Sequence, residues 1–306
     1  MLMTEPFYTD KSRVREAFDR AAHSYDGAAV LQREVSDRMS ERLDYIRHAP
    51  LRILDAGSGT GYGAVGLRSR YPDAQVIELD LAPSMLQVSR QKQQAAPRGG
   101  LLGRLFRKAE PWQLCADIEQ LPLASASVDM VWSSLAIQWV NTPDQVFAEF
   151  HRALRVDGLL MFATLGPDTL CELNHAFAGI DGHTHVNRFI DMHDIGDALV
   201  RTGFATPVMD MEKIVLTYDD IKGVMHDLKG IGAHNVTQGR KTGLMGKTAW
   251  RNISARYDAL RRDGKLPATY EVVYGHAWKP AQRPSRKLDD GSQIIEFQPR
   301  PDTPRR

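Results

Sequence analysis

The chain is poor in cysteine, in long apolar runs and in excess charge, and each shortage removes a class of protein. Only Cys115 and Cys171 are cysteines among 306 residues. Two cannot build a disulfide framework, and each reads as a small neutral side chain rather than a reactive thiol. No apolar run approaches the roughly 20 residues needed to cross a bilayer. The stretch Met1 to Lys11 carries Glu5 and Asp10 and no apolar centre, which argues against a secretory signal and for a cytoplasmic protein. With 39 Lys and Arg against 38 Asp and Glu, the formal net charge is +1. A dedicated nucleic-acid binder would carry a basic excess, so neither a nucleic acid nor a membrane is expected as partner.

What is present begins with Ile53-Leu54-Asp55-Ala56-Gly57-Ser58-Gly59-Thr60-Gly61. A short apolar strand ends on an acid and is followed by glycines at every second position. The pattern predicts a tight turn from strand to helix whose backbone a ligand can approach closely. A second acid, Asp80, closes the apolar run Gln75-Val76-Ile77-Glu78-Leu79-Asp80. In an open parallel sheet such strand ends lie side by side, and a carboxylate there can hold both hydroxyls of a ribose. The pair predicts an adenosine-containing cofactor. The dinucleotide fingerprint G-x-G-x-x-G fails when counted from Gly57, because position 62 is Tyr62. A literal match at Gly61-Tyr62-Gly63-Ala64-Val65-Gly66 starts six residues past Asp55 and falls inside the predicted helix, so a nicotinamide dehydrogenase is disfavoured.

Periodicity predicts one or two helices over 12–47, strands at 51–55, 75–80, 112–116, 128–133 and 158–164, and helices at 61–70, from Pro83, and at 143–155. Strands alternate with helices, which implies a parallel sheet with right-handed crossovers. After residue 165 the rhythm changes. Helices are expected near 168–178, 191–202, 219–228 and 248–262, with strands at 206–216 and 270–278. Residues 1–280 read as one α/β domain. The segment 97–110 reads as a basic insertion, with Arg98, Arg104, Arg107 and Lys108 among leucines. It is either a solvated loop or a docking surface for an acidic partner. Residues 281–306 read as a disordered tail.

Further site candidates follow strands three and four. Asp117 could accept from an adenine amino group or cap a helix, and Ile118 could supply an apolar wall. Ser133 opens the stretch Ser133-Ser134-Leu135-Ala136-Ile137-Gln138-Trp139, in which Trp139 lines a pocket or sits in the core. His183, His185 and His193 lack partners at ligand spacing, so no metal site is expected.

The Asp-x-Gly-x-Gly-x-Gly run resembles motif I of class I S-adenosylmethionine (SAM) methyltransferases. Other stretches are more specific. Ala17-Phe18-Asp19-Arg20-Ala21-Ala22-His23-Ser24-Tyr25, Asp117-Ile118-Glu119-Gln120-Leu121-Pro122-Leu123, Ser134 to Trp139, His185-Val186-Asn187-Arg188-Phe189 and Leu228-Lys229-Gly230-Ile231-Gly232-Ala233 resemble the malonyl-[acyl-carrier protein] O-methyltransferases of biotin synthesis. The likeness covers about 12–278, with 97–110 and the tail as departures. It implies a Rossmann-like, mostly parallel seven-stranded sheet with helices on both faces and helical additions at the N-terminus and in the second half. It implies SAM as cofactor, held by Asp55, Gly57, Gly59, Gly61, Asp80, Leu81, Asp117, Ile118 and Ser133.

By the same resemblance the reaction methylates the free carboxylate of a malonyl thioester on acyl-carrier protein. A carboxylate with a pKa of about 4 is ionised at pH 7, so no general base is required. Arg188 or Arg240 would orient it, and Tyr25 would close over SAM. Acyl-carrier proteins are acidic, so the basic insertion, or Lys222, Lys229 and Lys247, would steer the carrier. The rival readings are another small-molecule methyltransferase, or a methyltransferase-fold assembly factor or protein-arginine hydroxylase. A related assembly-factor family carries a stretch like Gly166-Pro167-Asp168-Thr169-Leu170.

Overall fold

A computed structural model describes residues 8–95, 112–233, 235–240, 243, 245–281, 286–287 and 293–294. The basic insertion expected at 97–110 lies outside them. At the N-terminus, α1 (Lys11–Ala21), α2 (Tyr25–Ala28) and α3 (Val30–Arg42) precede the first strand. The α/β repeat follows as β1 (Arg52–Ala56), α4 (Tyr62–Arg70), β2 (Gln75–Asp80), α5 (Pro83–Ala95), β3 (Trp112–Cys115), β4 (Val128–Ser134), α6 (Pro143–Ala153) and β5 (Leu154–Leu165). The second half adds α7 (Cys171–Phe177), α8 (Met192–Arg201), β6 (Ala205–Tyr218), α9 (Ile221–Gly230), α10 (Lys247–Asp258) and β7 (Leu266–Trp278). Within the tail expected to lack structure, β8 (Arg286–Lys287) pairs antiparallel with β9 (Gln293–Ile294). The remainder of that tail lies outside the described residues.

The seven-stranded sheet has the order β3-β2-β1-β4-β5-β7-β6. The first five of these strands run parallel, and β7 is antiparallel to both its neighbours. Strand order reverses between β1 and β4, and ligands of open α/β sheets bind outside the carboxyl ends at such a switch point. Every strand end that carries a predicted cofactor residue is therefore gathered at one edge.

Apolar residues bury both sheet faces. One face receives Val35 and Met39 of α3, Leu67 of α4, Leu173 and Phe177 of α7, Val224 of α9 and Ile253 of α10. The other receives Phe147 and Phe150 of α6 with Ile195 and Leu199 of α8. Helix α1 packs on neither. Its Val14 and Ala17 meet Val236 from the second half, with Phe18, Leu81 and Trp139 around them. Ala22 meets Ala82 and Met85 at the start of α5. The helix thus roofs the switch-point edge instead of extending the core.

Candidate active site

The loop after β1 is built by hydrogen bonds to the end of β2. The N–H groups of Gly57 and Ser58 donate to the carbonyl of Leu79 at 2.8 and 3.0 Å, and the Gly59 N–H donates to Asp80 Oδ2 at 2.8 Å. Gly57, Gly59 and Gly61 all take positive φ, at 84°, 52° and 85°, a region open to glycine at little cost. A Cβ on Gly57 would fall 2.3 Å from the Cβ of Ala136, and one on Gly61 would fall 2.2 Å from Ser89 Oγ. At Gly59 nothing lies within 4 Å of that position, so the backbone there faces open space.

Asp80 accepts on both oxygens, Oδ1 taking the Ala82 N–H at 2.8 Å and Oδ2 that of Gly59. Each oxygen retains a lone pair for a further donor. Burial pushes its carboxyl up to about 6, with the Asp19 charge adding to the rise, while the N–H groups of Ala82 and Gly59 pull the other way. A cavity of about 90 Å³ opens here, walled by Gly57, Gly59, Asp80, Leu81, Ala116, Asp117 and Ile118 below and by Lys11, Val14 and Phe18 of α1 above. Lys11 pairs with both Asp117 and Glu119. Partial burial disfavours its charge, but the two carboxylates outweigh burial and the net shift is upward.

Behind the glycine loop a second, small cavity of about 50 Å³ is lined by Asp55, Ser58, Gln32, Arg33 and Tyr25. Asp55 Oδ2, Ser58 Oγ and Gln32 Oε1 are buried there without hydrogen-bond partners. Burial pushes the Asp55 carboxyl well up, and Glu78, its register partner on β2, adds to the shift. A buried acid with a partnerless oxygen suits a cationic ligand group.

A third cavity, about 290 Å³, lies on the side of the second half. Its walls are largely apolar, from Leu170, Leu173 and Phe177 to Leu228, Ile231 and Tyr270. Its charged lining residues are Arg240 and Lys229, and no Asp or Glu is among the residues that line it. Lys229 is exposed, at the rim, whereas Arg240 is half-buried and has no acidic partner among the described residues. This apolar cavity and the glycine-loop cavity share Phe18, Tyr25, Leu135 and Trp139. Phe18 and Trp139 meet edge to face at 5.3 Å. Burial first, then Asp80 and Asp26, raises the Tyr25 phenol, which keeps it a neutral hydroxyl.

The family model described as "Methyltransferase domain" matches residues 54–162. The malonyl-[acyl-carrier protein] O-methyltransferase of Laribacter hongkongensis is 75% identical over 297 residues, covering 97% of this chain and 99% of that protein. The chain belongs to the malonyl-[acyl-carrier protein] O-methyltransferase family. The relative so named from Gallionella capsiferriformans is 59% identical over 290 residues, covering 95% of this chain and 97% of its own length. Among solved structures, the YcgJ protein of Bacillus subtilis is 14% identical with a TM-score of 0.55, covering 80% of this chain and 98% of its own. At that identity the likeness shows the Rossmann-like methyltransferase fold.

In this malonyl-[acyl-carrier protein] O-methyltransferase family member, the predicted residues sort into three groups. Gly57, Gly59, Asp80, Leu81, Asp117 and Ile118 wall one cavity, with Tyr25 above them. Asp55 serves the cavity behind the loop. Gly61, Ser133 and Arg188 are placed elsewhere. Gly61 packs on Ser89 of α5 and shapes the loop without lining the cavity beside Asp80. Ser133 is fully buried and donates to the Ala56 carbonyl at 2.9 Å, so the neighbouring Ser134 stands on the wall instead. Period-2 alternation along β4 turns only every second side chain toward the cleft. Arg188 is exposed and lines none of these cavities, which leaves Arg240. Of the lysines considered for steering, Lys229 reaches the rim and Lys222 and Lys247 do not.

His185 stacks on Phe177 at 4.2 Å and its Nε2 lies 2.8 Å from Asp181. His193 sits at the start of α8, where Asp191 caps the helix. The stretch Gly166 to Leu170 is a turn pinned on Glu271. A Cβ on Gly166 would fall 2.5 Å from Glu271 Cδ, the Asp168 N–H donates to Glu271 at 2.7 Å, and Leu170 has φ 56°. The residues that sequence reasoning missed are Lys11, Gln32, Arg33, Asn187 and Asn235. Asn187 stood in a family-like stretch without being singled out, and the others carry no motif and reach the site through loops and N-terminal helices.

Proposed function

We propose that the chain esterifies the free carboxylate of a malonyl thioester, carried on an acyl-carrier protein, with the methyl group of SAM. The observation that carries the reading is the acid-free, arginine-bearing cavity sharing an aromatic wall with the glycine-loop cavity. An amine acceptor would call for carboxylates in that lining; an anionic acceptor calls for a cation and no acid. The partnerless oxygens of Asp55 and Ser58 and the open face of Gly59 fit SAM, whose cationic sulfur supplies an electrophilic methyl group.

Asp80 holds the ribose hydroxyls on its spare lone pairs, and Ile118 and Leu81 flank the adenine. Asp55 takes the ammonium of the methionine part and Arg33 its carboxylate. On the acceptor side Arg240 grips the malonyl carboxylate, which aims its oxygen at the shared wall. Lys229 at the rim meets the acidic carrier. The nucleophile is ionised at pH 7, so no residue needs to remove a proton. Phe18, Tyr25, Leu135 and Trp139 exclude water and fix the approach, which supplies most of the acceleration. Esterification removes a negative charge, so the product loses its grip on Arg240.

Expression in a bacterial strain lacking its own methyltransferase of biotin synthesis should restore growth without biotin. Absence of growth from a chain that still binds SAM would assign it to the assembly-factor reading.

A further inference from the structure

Arg240 lies on a loop with no helix or strand to hold it, yet it must present a guanidinium to one carboxylate. The polar groups around its backbone, of which Thr237 is buried and Asn235 and Thr184 half-buried, form a closed circuit. The Thr237 hydroxyl, in a residue 1% exposed, donates to Asn235 Oδ1 at 2.7 Å. That commits its single proton, so in the 2.5 Å contact between the two hydroxyls Thr184 is the donor. Thr184 Oγ1 in turn accepts from Asn235 Nδ2 at 3.3 Å. The remaining capacity of the carboxamide is spent on main chain: Nδ2 donates to the Thr184 carbonyl at 2.6 Å, and Oδ1 accepts the Thr237 N–H at 2.9 Å. Each donor and acceptor has one consistent role, so the carboxamide cannot flip without breaking several bonds.

This circuit sets two backbones side by side. The Thr184 N–H donates to the Gly239 carbonyl at 3.1 Å, and Thr184 forms a bridge with Arg240. Thr237 forms a second bridge with Thr9, just before the α1 roof. Arg240 therefore stands at the end of a segment held by Thr9 on one side and Thr184 on the other.

We propose that Asn235, acting through Thr184 and Thr237, is the positioning residue that presents Arg240 to the substrate carboxylate. The inference rests on the reading of Arg240 as carboxylate anchor. Thr237 is the better probe, since it does not line the acceptor cavity and Thr237→Val opens the circuit without changing charge or size greatly.

The test is calorimetric binding of malonyl- and acetyl-carrier protein to the full chain saturated with S-adenosylhomocysteine, which prevents turnover. The quantity read is the ratio of the two affinities. Arg240→Ala should collapse the malonyl preference to near unity. Thr237→Val and Asn235→Ala should each lower it about tenfold, the order expected for weakening one charge-assisted hydrogen bond. S-adenosylhomocysteine affinity should stay unchanged, and Thr237→Ser, which keeps the hydroxyl, should restore the ratio. If Arg240→Ala collapses the ratio while Thr237→Val and Asn235→Ala leave it at the wild-type value, the positioning role is overturned. If Arg240→Ala itself leaves the ratio intact, the anchor reading fails and the circuit is structural.

Discussion

Asp80 shows how much one side chain is asked to do. In the ribose-holding role we propose for it the carboxyl serves best when ionised, yet its surroundings push it up to about 6. An anionic acceptor is lost on protonation, so SAM affinity should fall as the pH drops through about 6. Titration calorimetry across that window checks the sign. Asp80→Ala should weaken SAM binding by about 1–3 kcal/mol, the value of hydrogen bonds to a charged group, and should flatten that pH dependence. The acid was legible in the sequence because it ends an apolar run one strand after the glycine loop. Ser133 was misplaced by one position because the sequence carries no marker of which face of β4 meets the cleft. The choice between Arg188 and Arg240 could not be read at all, since both lie on irregular backbone where no period relates sequence to direction.

At the level of elements, the N-terminal helices decide whether the site is closed. Helix α1 has no core of its own and depends on Val236 and on the turn that follows α9. That turn approaches so closely that a Cβ on Gly232, at φ 72°, would lie 3.2 Å from the Ala17 carbonyl, and one on Gly230 would lie 2.9 Å from the Ala28 Cβ. This is the physical content of the Leu228-Lys229-Gly230-Ile231-Gly232-Ala233 stretch. Gly232→Val should displace α1, speed SAM dissociation and lower kcat, while circular dichroism stays native; stopped-flow release of SAM measures the first of these. Element existence was well marked by periodicity, but several boundaries were not. The strand expected from Gly158 begins at Leu154, because Leu154 already pairs with Val128 before a register shift, with Asp157 at φ 61°, interrupts the ladder until Leu159. The helix expected from 168 begins at Cys171, because Glu271, about a hundred residues away, holds the preceding turn. Long-range contacts of that kind leave no local signature.

For the molecule as a whole, the switch-point edge is only as firm as the buried join between β2 and its neighbours. Glu78 is fully buried, and its oxygens accept from Arg68 at 2.6 Å, Ser89 at 2.6 Å, Gln93 at 2.6 Å and Gln113 at 2.8 Å. Burial alone would raise its carboxyl, but Ser89, Gln113 and Arg68 together bring it below the ordinary value. A depressed carboxyl contributes stability that is present above its unfolded pKa and is lost as the pH falls through the folded one. Glu78→Ala should cost about 3–5 kcal/mol, as expected when one partner of a buried ion pair is removed, and urea unfolding near pH 7 would read the loss. The alternation of strands and helices made the parallel part of this sheet legible. The insertion of β7 between β5 and β6 was not, because antiparallel order in the second half depends on pairs as far apart in the chain as Leu159 and Trp278.

We place the meeting of a methyl donor and an ionised carboxylate at the wall formed by Phe18, Tyr25, Leu135 and Trp139. The most direct measurement is transfer of label from methyl-labelled SAM by the purified chain, with malonyl- and acetyl-carrier protein offered side by side at pH 7.5. Label appearing on the malonyl carrier as a base-labile methyl ester, with none on the acetyl carrier, is the predicted result. Equal labelling of both carriers, or label on the protein component of either, would contradict it.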